Sequence, residues 1–136
     1  MLFREDFPGS ADQHERSHEL QRILVNRGLT YLGMGTNRVT YLSQSGKYVY
    51  KVPLNGWGWQ ANRREAELWS KHVKGGSFFH GKLARCKLAP SGILVMELVK
   101  TRVHEEDLPE WATYIDCAQV GYNHQGQLVA YDYGDQ

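Results

Sequence analysis

Apolar and polar positions alternate along this chain with two periods. Between Ser10 or Asp12, either of which suits an N-cap, and Gly28, which suits a C′ position, Leu20, Ile23, Leu24 and Arg27 recur at helical spacing. The pattern predicts a helix ending near Arg27. From Leu29 the period shortens to two. Strands are expected over Leu29 to Gly33, Arg38 to Ser43 and Lys47 to Pro53, with turns at Gly33 to Gly35 and at Ser45-Gly46. In the third strand Tyr48, Tyr50 and Val52 alternate with Val49 and Lys51. Asn55-Gly56-Trp57-Gly58-Trp59 reads as a loop. A second helix is expected from Gln60 to about Lys74, closed by Gly75-Gly76. Two more strands follow, Gly81 to Leu88 and Ile93 to Val99, joined through Pro90-Ser91-Gly92. Asp107-Leu108-Pro109-Glu110-Trp111 has the form of a helix start. Ala118 to Tyr122 and Gln127 to Asp132 form a hairpin around Asn123-His124-Gln125-Gly126. Helix, three strands, helix, two strands, small helix and hairpin make an α+β fold with an antiparallel sheet.

The length of 136 residues suits a single domain spanning 1–136. Within it 1–9 is an arm, 10–28 the first helix, 29–99 the sheet with its helix, and 100–136 a minimal C-terminal part. A hydrophobic content of 41% with 23% charged residues fits a globular protein. Sixteen basic against fifteen acidic residues, a net charge of +1, argue against a nucleic-acid partner. Apolar runs are too short to cross a bilayer, and the mixed-charge start Met1-Leu2-Phe3-Arg4-Glu5-Asp6 has no apolar signal core. A cytoplasmic protein without membrane contact is the expectation. Cys86 and Cys117 fit no metal or redox spacing and read as free thiols, a disulfide remaining the alternative.

Several residues carry chemistry. Gly33 and Gly35 would let a backbone turn approach a phosphate, although hairpins use glycine for their own reasons. Lys51 either faces solvent from its strand or enters a cleft. On the following helix Glu65 and Glu67 are two residues apart, so only one can face inward; Glu65, beside Ala66 and one turn before Trp69, is the choice. Asp132 at a strand end offers a carboxylate to a hard cation, or is simply a terminal acid. His14 and His18 are four apart on a helix, but no third ligand follows at a clear spacing. Trp57 and Trp59 sit in a glycine-rich stretch and are candidate anchors for a protein partner.

In order, Gly33-Met34-Gly35, Lys51 within Tyr48-Val49-Tyr50-Lys51-Val52-Pro53, Glu65 and Tyr131-Asp132-Tyr133-Gly134 resemble the protein-kinase-like fold. Residues 29 to 134 carry the resemblance, which is to an N-lobe plus the Asp-x-Gly hairpin. It implies ATP and Mg²⁺. Lys51 would contact the α/β-phosphates and pair with Glu65. Arg38 stands at the third glycine of the family's loop and could itself reach a phosphate. Met96 would gate an adenine pocket whose backbone edge comes from Glu97 and Leu98. Asp132 would hold Mg²⁺, with Gln119 as second metal ligand. The family's catalytic aspartate falls on Tyr114 and its histidine on Ala112; Asp116 is the nearest carboxylate that could act in that place. The C-lobe platform for a protein substrate has no counterpart in the chain. The strings Gly35-Thr36-Asn37-Arg38 and Tyr131-Asp132-Tyr133-Gly134 also resemble those of small phage-encoded kinase-like proteins.

Three readings follow. The first is a kinase-like ATP/Mg-binding domain with weak or no autonomous phosphotransfer. The second is a non-catalytic, pseudokinase-like interaction protein that mimics or inhibits a kinase-like or nucleotide-binding protein. The third is a minimal phosphotransferase using Asp116 and Asp132. Nucleotide is the expected ligand, with a protein partner or a second copy of the chain as further candidates.

Overall fold

The computed structural model describes residues 11–73, 81–100, 103, 108–114 and 119–133. The expected cap Ser10, Gly75-Gly76, Asp107, Asp116, Cys117 and Gly134 lie outside them.

Helix α1 runs Ala11–Asn26. It ends as its sequence requires. Gly28 takes φ +87°, its N–H donates to Val25 O at 3.0 Å, and Leu29 N–H donates to Leu24 O at 3.1 Å. That is a Schellman closure, which only a residue without Cβ adopts readily. The inward face is Gln13, Ser17 and Leu24, all buried, while Ile23 is 38% exposed. The helix turns its 13-17-20-24 stripe to the sheet, and Ser17, Gln21 and the Tyr41 hydroxyl form a hydrogen-bonded chain there.

Strands β1 (Thr30–Met34), β2 (Arg38–Leu42), β3 (Tyr48–Pro53), β4 (Cys86–Leu88) and β5 (Leu94–Glu97) form one antiparallel sheet in the order β1-β2-β3-β5-β4. Side chains alternate across it. Val39, Tyr41 and Val52 turn to α1, where they bury with Leu24 and Ile93. Val49, Leu94 and Met96 turn to the other face, in a core shared with α2 and the C-terminal hairpin. Each fully buried aliphatic side chain there contributes about 1.5–3 kcal/mol. Lys51 pairs with Thr40 and Leu94 in register, so it shares the second face and lies among these apolar residues.

Helix α2 spans Gly56–Val73. The loop expected over residues 55–59 is thus corrected. Asn55 Oδ1 accepts from Gly58 N at 3.0 Å and Asn55 O from Trp59 N at 3.1 Å, so Asn55 is an N-cap and the helix starts on glycine and tryptophan. Poor intrinsic propensity at two glycines is overridden by this cap and by packing. A Cβ at Gly58 would collide with the Asn37 carbonyl oxygen, so glycine lets the β1–β2 turn rest on the helix. Trp59 is 7% exposed and stacks under Arg16, whose guanidinium carbon is 5.0 Å from its ring centre; Trp57 is 56% exposed. Trp59 is therefore a core residue and not a surface anchor.

A 3₁₀ turn covers Glu110–Tyr114, and β6 (Val120–Tyr122) pairs with β7 (Leu128–Ala130). Asn123 Oδ1 accepts from Gln125 N and Gln127 N at 3.0 and 2.9 Å, which closes the hairpin turn. The hairpin docks by backbone bonds between Ala84 and Ala130, between Ala130 and Lys82, and between Lys100 and Tyr122. That docking carries Tyr131-Asp132-Tyr133 beneath Lys51. No described helix is long and apolar enough to cross a membrane.

Candidate functional site

The centre of the site is Glu65, which is fully buried. Its Oε1 accepts from Lys51 Nζ at 3.0 Å and from Arg38 Nη1 at 2.9 Å. Its Oε2 accepts from Arg38 Nη2 at 3.0 Å and from Tyr133 N at 2.9 Å. Strand β3, the end of the β1–β2 turn, helix α2 and the residues after β7 thus meet on one carboxylate. Glu67, two residues on, is exposed. A buried carboxylate is tolerated only when its lone pairs are filled in this way.

Burial by itself would raise the Glu65 carboxyl, but the Lys51 and Arg38 charges and their hydrogen bonds outweigh it and hold it down at about 2. The Lys51 ammonium is lowered, because burial outweighs the attraction of Glu65. Four donors converge on the carboxylate and keep it ionised. Lys51 also donates to the Tyr131 carbonyl.

Arg38 is the second organiser. Besides its bidentate grip on Glu65, its Nη1 donates to Asn62 Oδ1 at 2.9 Å and its Nη2 to Asp132 Oδ1 at 2.9 Å. Asn62 is fully buried and its Nδ2 donates to Lys51 O and to Gly92 O, both at 2.8 Å. Asn62 escaped the sequence reading. Its signal was a polar residue three positions before Glu65 on the same apolar helix stripe as Trp59, Ala66 and Trp69. Asp132 has 44% of its side chain exposed. Burial raises its carboxyl, and Arg38 and Lys51 pull it back only in part.

Beneath the network the Tyr133 hydroxyl donates to Ala84 O at 2.8 Å and meets Cys86 Sγ at 3.2 Å. Burial pushes the Cys86 thiol up to about 11. A low-pKa nucleophile is the opposite of this environment.

Arg38, Lys51 and Asp132 border a cleft of about 410 Å³ whose lining also includes Gly35, Thr40 and Gln119. Gly33 shares the cleft face in register with Thr40, but a Cβ there would meet open space, and neither Gly33 nor Gly35 has a positive φ. The Gly35 N–H is bonded to Arg38 O at 2.9 Å. Met96 is buried in the core. The Glu97 N–H donates to Arg85 O and the Leu98 N–H to Lys47 O, both at 2.9 Å. The Glu97 side chain lines a different cavity, of about 170 Å³, with Trp69, His72 and Asn123. So Gly35, Arg38, Lys51, Gln119 and Asp132 meet in one cleft with Glu65 behind them, while Met96, Glu97 and Leu98 do not border it. Asp116 lies outside the described residues.

Asp132 and Gln119, the two residues that the resemblance gives to a metal, both line this cleft. Asp132 Oδ1 is already held by Arg38, and Glu65 has four donors. Among the described residues no three His, Cys, Asp or Glu side chains gather as a ligand set, and His14 and His18 are exposed.

Strand order β1-β2-β3-β5-β4, a helix after β3 and a buried lysine–glutamate pair between them are protein-kinase-like. No protein-family model matches the chain, and no curated protein matches it in sequence. Among solved structures it is similar to the streptomycin–ATP–APH(2")-IIa ternary complex, with 20% identity and a TM-score of 0.45 over 74% of this chain and 37% of that one. It is also similar to the gentamicin–APH(2")-IIa complex, with 21% identity and a TM-score of 0.47 over 87% of this chain and 38% of that one. The chain therefore spans well under half the length of those proteins. Likenesses at this level say nothing of activity, and the fold description rests on the chain's own strand order and ion pair.

Proposed function

We propose that the cleft between the β1–β2 turn, Lys51 and Asp132 is a kinase-like nucleotide site that takes the phosphates of ATP, with weak or no autonomous phosphotransfer. The buried Lys51–Glu65 pair carries this reading. An isolated ammonium is costly to bury, and Glu65 offsets that cost while leaving Lys51 on the cleft wall. Two cations, Lys51 and Arg38, then face a space lined by the turn at 35–37. Among the described residues Asp132 is the one carboxylate lining that cleft, and it is engaged by Arg38. It is poorly placed to act as base for an acceptor hydroxyl, and without a base phosphoryl transfer loses on the order of 10²–10⁴-fold. A contribution from Asp116 would restore the minimal-phosphotransferase reading. Equilibrium titration of ATP into wild type and Lys51→Met tests the site. Binding in the wild type that weakens at least about tenfold in a folded Lys51→Met protein supports it. Equal binding by both proteins sinks it.

The interaction-protein reading keeps one observation of its own. Tyr31, Leu32 and Met34 on edge strand β1 are 54%, 49% and 60% exposed, and an edge strand can accept a partner's strand. A Leu32→Lys protein that loses a partner while still binding ATP would separate this surface from the cleft.

A further inference from the structure

The cation in contact with Asp132 is a side chain. Arg38 reaches it at 2.9 Å while gripping Glu65 with both ends of its fork at 2.9 and 3.0 Å. The two carboxylates differ in kind. Glu65 is enclosed and fixes the guanidinium to helix α2, whereas Asp132 is 44% exposed at the end of the hairpin. Arg38 and Lys51 together balance Glu65 and Asp132, so the closed network holds no spare charge for a polyphosphate. A divalent ion on Asp132 would share that carboxylate with the guanidinium that holds Oδ1 and would be repelled by it. A phosphate oxygen meets no such obstacle, because it can take the place the Asp132 carboxylate occupies on Nη2. With the fork kept on Glu65, the Nη2 N–H released by Asp132 would make one charge-assisted hydrogen bond to it.

We propose that Arg38 is the phosphate receptor of this cleft, that Asp132 is the internal carboxylate a nucleotide phosphate displaces from it, and that binding requires no divalent metal. This rests on the nucleotide reading above. Glu65 holds the receptor in place throughout, and Asn62 keeps it from swinging away. Asp132 then competes with the ligand, the reverse of the metal-holding part that the Asp-x-Gly resemblance implies.

The test is a calorimetric titration of ATP in EDTA and again in millimolar MgCl₂, on wild type, Asp132→Asn, Arg38→Gln and Arg38→Lys. The expected result is a wild-type Kd that agrees within about threefold between the two buffers. Asp132→Asn, having lost its charge, should bind about threefold or more tighter in EDTA. Arg38→Gln should bind at least about tenfold weaker in both buffers. Should Arg38→Gln fail to fold, Arg38→Lys keeps the charge without the fork, and weaker binding in both buffers is expected there too. Binding by wild type only with Mg²⁺, or its loss in Asp132→Asn, overturns this proposal and leaves the nucleotide site standing. Absence of binding in both buffers overturns the nucleotide site and this proposal together.

Discussion

Replacing Glu65 by glutamine removes one charge from the centre of the network and keeps its shape. The carboxylate accepts four hydrogen bonds. A glutamine amide offers one oxygen, and its NH₂ would face a donor wherever it is turned. Lys51, with 8% of its side chain exposed, would keep only the Tyr131 carbonyl as a full partner on that side. Breaking a buried pair by removing one member costs about 3–5 kcal/mol. The proton linkage gives a second estimate. The Glu65 carboxyl falls from its ordinary 4.5 to about 2, equivalent to about 3 kcal/mol of folding free energy at neutral pH. Because the folded value is the lower one, this stability is fully present above pH 4.5 and is lost as pH falls towards 2. Urea unfolding followed by circular dichroism at pH 7 should show Glu65→Gln about 3 kcal/mol or more less stable, with Tm lower by roughly 10 °C. The difference between the two proteins should shrink as pH falls below 4.5, where the wild type loses what the variant lacks. A loss under about 1 kcal/mol at pH 7, or a gap that does not narrow in acid, refutes the view that this carboxylate organises the fold.

Two further outcomes follow from the same geometry. Asn62→Ala strips the backbone oxygens of Lys51 and Gly92 of a donor and Arg38 of an acceptor, and should cost about 2–3 kcal/mol in chemical denaturation. In a Cys117→Ser background, Cys86, pushed up to about 11, should react with iodoacetamide at pH 8 far more slowly than the same thiol in urea; equal rates would contradict its enclosure.

Much of the fold was legible because β2 alternates with a period of two, the other strands carry apolar runs of strand length, and the turns carry glycine or asparagine. The order of elements, the N-terminal helix with its Gly28 cap and the final hairpin follow from such local signals, whereas the pairing of β3 with β5 does not. The start of α2 did not. Gly-Trp-Gly-Trp has the composition of a loop, and it becomes helical because Asn55 caps it and Trp59 packs under Arg16 from a distant helix. Tertiary contacts of that kind leave no local mark. In the site, the choice between Glu65 and Glu67 could be read from the face each residue would occupy, while the alternation of β3 left Lys51 open between solvent and cleft and only the resemblance placed it. The Arg38 bridge could not, because it joins a turn to a helix and a hairpin 27 and 94 residues further along the chain. A basic residue where the resemblance expects glycine was the one visible sign.

The most direct test of the nucleotide site is the ATP-dependent shift in melting temperature of wild type and Lys51→Met. At 100 times the dissociation constant, ligand binding stabilises the folded state by about 2.7 kcal/mol. For a chain of 136 residues this raises Tm by roughly 5–10 °C. The account predicts that rise in the wild type and little or none in Lys51→Met. A wild type that melts at the same temperature with and without saturating millimolar ATP, or a variant that rises as much as the wild type, would contradict it.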